Sequence, residues 1–414
     1  MINLRNLKNM LKQLSIGFIL NVFIKFFSVL LSFVINFMVI RLLSVEDYGQ
    51  YSYLFYIVQL ISLPSVLIND KIITKYSPKL IDENDHEFNF FNLRLLFFLV
   101  FVPCLGTCFL DTTNYVKILI IFLSLSLALI TYLSRILNVS RQLIKGFIVS
   151  SLARQVILFS IILYIYVNYN TFNFEELLEY NFLASFLVVL AVLVLYFKIP
   201  LKFNFFQKIS SVQFTWIKYA SFILMFGVFN FFRLNMDVFM LKHLMNYESV
   251  GIYDAMFKLS SLIGVSVLAI EYTLGPIISR SLADKKFLKK NIILSTTLTT
   301  FIGCLVFMVL LLYGKEIINL IFGINYSNGI AVLLILSIGN LIHAITAPII
   351  NILMYSGEEK LVAKTSFYVM TTLFLINFPC IKYYGIEGAA ITYSLGVLLQ
   401  SGFLSIKSLK YIKY

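Results

Sequence analysis

The chain has 414 residues, 60% hydrophobic and 13% charged, with a formal net charge of +13. A soluble domain carries about 45–50% apolar and about 25% charged residues, so a soluble fold is excluded: the surplus apolar surface would face water. The basic residues sit in short loops between apolar runs, which reads as membrane orientation and not as binding of nucleic acid.

A membrane span needs about 20 mainly apolar residues. In chain order the sequence predicts twelve, at about 16–40, 48–69, 91–110, 115–137, 147–168, 180–199, 216–241, 250–274, 291–313, 329–354, 361–381 and 386–406. The first run is too long for the core of a signal peptide, so it is expected to remain as the first span. Lys and Arg set the orientation. With the N-terminus inside, the inner segments collect Arg5, Lys8 and Lys12, then Lys71, Lys75 and Lys79, and later Arg280, Lys285, Lys286, Lys289 and Lys290. The outer segments keep isolated cations such as Arg41, Lys117 and Lys382. Both termini are therefore expected in the cytoplasm. Cys104, Cys108, Cys304 and Cys380 all lie in apolar runs. Without His or further Cys beside them they read as small buried hydrophobes, and no metal site is predicted.

Shifting the chain by about 200 residues aligns RLLSVEDYGQY (41–51) with HLMNYESVGIY (243–253). The identical pairs include Glu46/Glu248, Gly49/Gly251, Tyr51/Tyr253 and Phe55/Phe257. The match falls at equivalent places, between spans 1 and 2 and between spans 7 and 8. An all-α integral membrane fold of two six-helix bundles is expected, residues 1–200 and 201–414. An even number of spans gives both halves one orientation, related by a pseudo-twofold axis along the membrane normal. Two such bundles would leave a cleft that rocking opens to either side.

The segment LLSVEDYGQYSYLFYIV (42–58) resembles the span 1–2 connection of bacterial polysaccharide flippases, the Wzx-like branch of the MOP exporter superfamily. RLNMDVFMLKHLMNYESVGIYDAMFKL (233–259), YSGEEK (355–360) and YYGIEGAAITYS (383–394) are similar to the same family. The resemblance implies export of oligosaccharide units linked to undecaprenyl pyrophosphate, from the inner to the outer leaflet of the bacterial cytoplasmic (inner) membrane. It implies a cleft lined by spans 1, 2, 7 and 8. The polysaccharide polymerase and chain-length regulator would be partners, besides membrane lipids.

A charge within a span costs about 2.5–3.5 kcal/mol on insertion scales, so each is a functional candidate. Lys25 lies near the middle of span 1 with Asn21 and Ser28 on its face. Arg154 lies too deep in span 5 to snorkel and fits either a cleft or a structural pairing. Arg233 and Asp237 stand at i,i+4 on span 7, with Asn230 on the same face; Asp254 and Lys258 stand at i,i+4 on span 8. These two pairs share a depth. They form either a neutral network that locks the helices or cations held by acids until a pyrophosphate displaces them. Lys25, Arg154, Arg233 and Lys258 are thus the candidate substrate-binding residues. Glu271 is an interfacial or coupling acid. His343, mid-depth on span 10 near Asn340, is a hydrogen-bonded structural group or a proton relay.

The cations within spans outnumber the acids, which favours an anionic cargo over a cationic drug. No Gly-Lys-Ser/Thr nucleotide motif is present, so the drive is expected from a proton or sodium gradient and no cofactor is expected. A multidrug or metabolite exporter of the same superfamily is the alternative. A membrane polysaccharide polymerase is a weaker one, because no sizeable aqueous segment carries paired carboxylates.

Overall fold

The computed structural model describes residues 4–80, 94–101, 104–140, 142–168, 172–196, 211–265, 267, 285–356 and 358–412, and every regular element among them is helical. Helix α1 (Leu4–Leu42) is followed closely by α2 (Val45–Leu80). Ser44 makes the junction. Its hydroxyl accepts from the Asp47 N–H at 3.1 Å and donates to the Asp47 carboxylate at 2.6 Å, which satisfies one of the orphan donors of a helix start. Helix α3 (Asn114–Val139) is capped by Thr113. Helix α4 (Leu143–Phe147) passes through one π-helical turn, Ile148–Leu152, into α5 (Ala153–Asn168). Helix α6 (Phe174–Tyr196) precedes α7 (Ser211–Leu244) and α8 (Tyr247–Ser260). Asn246 caps α8, its side-chain oxygen accepting from the Ser249 N–H at 2.9 Å. Helix α9 (Lys285–Ile321) ends at Gly323, whose φ of 98° only glycine adopts readily. Then come α10 (Ile330–Tyr355) and α11 (Glu359–Ile412). The last is two arms: Gly385, at φ 58° and ψ −134°, breaks it.

Eight helices among the described residues are long and apolar enough to cross a membrane. They cover the predicted spans 1, 2, 4, 5, 6, 9 and 10, and Lys360–Ser408 carries the last two on either side of Gly385. Outward faces are apolar: Phe301, Leu305 and Leu312 of α9 are more than half exposed. Buried hydroxyls turn back on their own helices instead. Ser124 donates to the Ile121 carbonyl at 2.8 Å, Ser185 to that of Asn181 at 2.7 Å and Ser366 to that of Val362 at 3.0 Å. A hydroxyl without water finds its acceptor three or four residues back. This chain is a multi-pass membrane protein.

The chain divides into two compact units, one of Met1–Leu42 with Leu54–Val228, the other of Leu43–Tyr53 with Phe229–Tyr414. In the first, Ile68, Ile72 and Trp216 form a buried cluster against Leu95, Leu99 and Leu224. In the second, Met236 packs with Val369 and Leu373. The start of α2 belongs to this second unit, and its packing explains why. The Tyr53 ring meets Phe239 and Tyr247 edge-on, each at 5.9 Å between centroids. Gly49 and Gly251 let the backbones of α2 and α8 touch: a Cβ on Gly49 would strike the Tyr247 carbonyl oxygen, and one on Gly251 the Val45 carbonyl oxygen. In lipid, close approach of this kind holds helices together where apolar contact alone does not.

Candidate functional site

Two polar constellations lie within the helices. The first is in the first unit. A cavity of about 400 Å³ is lined by Lys25, Ser28, Ser32 and Asn36 of α1, and by Ser150, Ser151, Arg154 and Gln155 beyond it. The α1 residues recur at helical spacing, so one polar stripe faces the space. The opposite wall is the π turn and the first turn of α5. A π turn adds a residue to the helix and re-aims those that follow; such turns recur at functional sites. Arg154 Nη1 donates to Asn181 Oδ1 at 3.3 Å. With the Gln155 amide in the orientation that satisfies both its ends, its nitrogen donates to the Ser28 and Ser151 carbonyls at 2.7 and 2.9 Å, tying the two walls together. Asn36 Nδ2 donates to the Ser32 carbonyl at 2.7 Å. The structure thus places Lys25 and Arg154 on one polar cavity. Asn21, expected on the same face, has a side chain outside the described residues.

The second constellation is in the second unit. Asp254 is fully buried and accepts three bonds: from Lys258 Nζ at 2.9 Å, from the Tyr48 hydroxyl at 2.6 Å and from the Ser52 hydroxyl at 2.8 Å. Lys258 Nζ also donates to the Tyr48 hydroxyl, at 2.7 Å. The i,i+4 pair on α8 therefore forms. It is completed by two neutral side chains of α2, which lie in the same unit.

The corresponding pair on α7 does not form. Asp237 takes the Tyr253 hydroxyl at 2.9 Å and Asn377 Nδ2 at 2.6 Å. Asn377 Oδ1 in turn accepts from the Thr392 hydroxyl at 2.7 Å. Asp237, Asn377 and Thr392 are all buried. Arg233 turns the other way. Its Nη2 donates to Asn230 Oδ1 at 3.1 Å, and its Nε is buried with no hydrogen-bond partner. The four charges are therefore split, with Lys258 neutralised by Asp254, while Arg233 meets no carboxylate among the described residues. His343 is exposed on α10. Its neighbour Asn340 donates to Ser260 at 2.9 Å and accepts from the Tyr393 hydroxyl at 3.2 Å. Glu271 lies outside the described residues. Among the described residues no group of three or more His, Cys, Asp or Glu could hold a metal ion.

Sequence reasoning missed Tyr48, Ser52, Asn377 and Thr392, because it weighed charged residues within spans and the polar groups on the same helix face. One signal was present: Ser52 and Asp254 occupy the same position in the two copies of the repeat, as do the caps Ser44 and Asn246.

Residues 38–331 match the model of a family described as polysaccharide biosynthesis protein. The chain belongs to that family. A relative of this polysaccharide biosynthesis protein in Shigella flexneri, whose name assigns it to O-antigen transport, is 26% identical over 166 residues, 40% of each chain. The chain thus spans less than half the length of this relative. Two solved structures share the fold. One is an inward-facing multidrug resistance MATE family transporter of the MOP superfamily, with a TM-score of 0.70 and 11% identity over 93% of this chain and 94% of that one. The other is the lipid II flippase MurJ in an inward closed conformation, with a TM-score of 0.66 and 16% identity over 95% and 90%. At such identities the likeness establishes the MOP-type helical fold and nothing about cargo.

Proposed function

We propose that this polysaccharide biosynthesis protein is a flippase. It moves oligosaccharide units linked to undecaprenyl pyrophosphate from the inner to the outer leaflet of the bacterial cytoplasmic membrane by alternating access. The observation that carries the reading is the cavity that Lys25 and Arg154 share with a row of hydroxyls and amides. Such a space suits a hydroxyl-rich, anionic cargo: sugar hydroxyls take the Ser and amide groups, and a diphosphate takes the cations. Arg233, without a carboxylate partner among the described residues, supports the same sign of cargo. The family membership and the name of the Shigella relative support polysaccharide over drug export. Twelve spans in two six-helix bundles, both termini in the cytoplasm, and a polymerase and chain-length regulator as partners belong to this proposal.

The drive in this proposal is an ion gradient. A buried carboxyl group with no cation beside it is unfavourable unless it holds a proton or a small cation. Asp237, held by neutral groups such as the Tyr253 phenol and the Asn377 amide, is the residue that would carry the coupling ion.

The test is a reconstituted system. Purified protein in proteoliposomes receives a fluorescent undecaprenyl-pyrophosphate sugar, and transfer is followed with a membrane-impermeant quencher. The reading requires transfer by the native protein and loss of transfer in a Lys25→Ala, Arg154→Ala variant. Transport of a cationic dye in place of any glycolipid would assign the chain to the drug-exporting branch of the fold.

A further inference from the structure

Helix α9 belongs to the second unit and exposes an apolar outward face. Beside it runs a second cavity of about 610 Å³, whose wall on α9 reaches from Ile292 to Cys304 and whose far side includes Ile349 of α10. The wall is an i,i+4 row, Ile293, Thr297 and Phe301, beside a second row through Thr296 and Thr300. Twelve residues of helix span about 18 Å, close to the depth of one leaflet, which is about 15 Å. The groove therefore has the length of one lipid chain.

Two further features show which lipid. One turn before Ile293 the same row continues to Lys289, with Lys290 beside it, and both are exposed. They sit in the basic segment expected at the cytoplasmic surface. The start of α9, at Lys285, adds the positive end of a helix dipole. Thr296 lines the groove with its Oγ1 buried and without a hydrogen-bond partner, so a turn of the side chain toward the groove would present a donor below the lysines. A cationic mouth, an unused hydroxyl and an apolar channel one leaflet deep match, in order, a phosphate, an ester carbonyl and an acyl chain.

We propose that this groove is a binding site for an acidic phospholipid of the inner leaflet, phosphatidylglycerol in type. Its phosphate lies on Lys289 and Lys290, its glycerol ester on Thr296, and one acyl chain along α9 toward Cys304. Juxtamembrane basic clusters hold acidic headgroups in this way. The proposal rests on the proposed orientation, with the start of α9 at the cytoplasmic surface, and stands apart from the identity of the transported cargo.

The full-length protein is placed in phosphatidylcholine bilayers with a trace of phosphatidylglycerol bearing a diazirine in one acyl chain. A phosphatidylcholine probe with the same chain serves as control. The labelled peptides are then mapped. The phosphatidylglycerol probe should label 292–304 and the Ile349 peptide well above the control. Each exposed lysine should contribute about fivefold, so Lys289→Ala, Lys290→Ala should lower affinity for the probe about 25-fold. Thr300→Trp, which fills the channel, should remove labelling with the lysines intact. Equal labelling by both probes would reduce the groove to ordinary lipid contact and overturn the proposal. So would labelling that neither variant changes, or displacement of the probe by undecaprenyl phosphate, which would assign the groove to the cargo's tail.

Discussion

Gly49 and Gly251 stand opposite each other where α2 and α8 cross, and each makes room for a carbonyl of the other helix. The relation is reciprocal: Gly49 abuts the Tyr247 carbonyl and Gly251 the Val45 carbonyl, and Val45 and Tyr247 are themselves equivalent in the repeat. Ser52 and Asp254, a turn further on, are equivalent as well, and they bond directly at 2.8 Å. The crossing thus has local twofold character, the hallmark of a self-complementary contact.

Gly49→Ala and Gly251→Ala should each lower stability by about 1–3 kcal/mol, the usual cost of overpacking, because the atoms struck are backbone and cannot rotate away. Gly402→Ala is the control. Nothing lies within 4 Å of a Cβ there, and alanine favours helix by about 1 kcal/mol. Thermal unfolding in detergent should separate the first two from the third; equal midpoints for all three would mean that the crossing relaxes freely.

Asp254→Asn and Lys258→Met should each be strongly destabilising, by about 3–5 kcal/mol, since each leaves the partner's charge without its counterpart in a largely buried site. The double variant should cost clearly less than the sum of the two. Tyr48→Phe removes one donor to Asp254 and one acceptor for Lys258, for about 1–3 kcal/mol. An additive double variant would show that the pair is not coupled.

Arg154→Lys should not restore what Arg154→Gln loses. The guanidinium, which donates to Asn181 at 3.3 Å, is a planar fork of donors, whereas an ammonium is a point charge. Apparent affinity for the glycolipid should fall about tenfold or more in both, the scale of one hydrogen bond to a charged group. Full rescue by lysine would mean that only charge matters at this position.

Asp237→Asn should uncouple transport. Exchange of glycolipid between leaflets at equal concentrations should continue, while its response to an imposed proton or sodium gradient disappears. A gradient response equal to that of the native protein would remove Asp237 from the coupling path.

Much of the helical layout was legible because membrane spans are written in length and hydropathy, and the eight long apolar helices among the described residues fall on predicted runs. The side-chain partners were less so. Spacing at i,i+4 makes a pair geometrically accessible on either helix, but the neighbours decide. Lys258 closes on Asp254 because Tyr48 and Ser52 converge there. Asp237 is held by Tyr253 and Asn377, one on each carboxylate oxygen, while Arg233 bonds Asn230. Both outcomes depend on residues distant in sequence and neutral in charge, which no local pattern marks. Lys25 and Arg154 carried their own signal, a charge deep in an apolar run, and the cavity between them follows from a π turn that the sequence does not announce.

The two arms of α11 are joined at Gly385 alone. Across that bend Gly396 abuts Leu373, Gln400 bonds Ser366 and Thr392 bonds Asn377, so the arms run antiparallel in a fixed register. With no slack between them, one inserted residue would rotate the second arm by about 100° and swing Thr392 off the amide that holds Asp237. The bend is therefore a place where the chain can neither lengthen nor shorten: length variation among relatives, tolerated in ordinary surface loops, should stop at this hairpin.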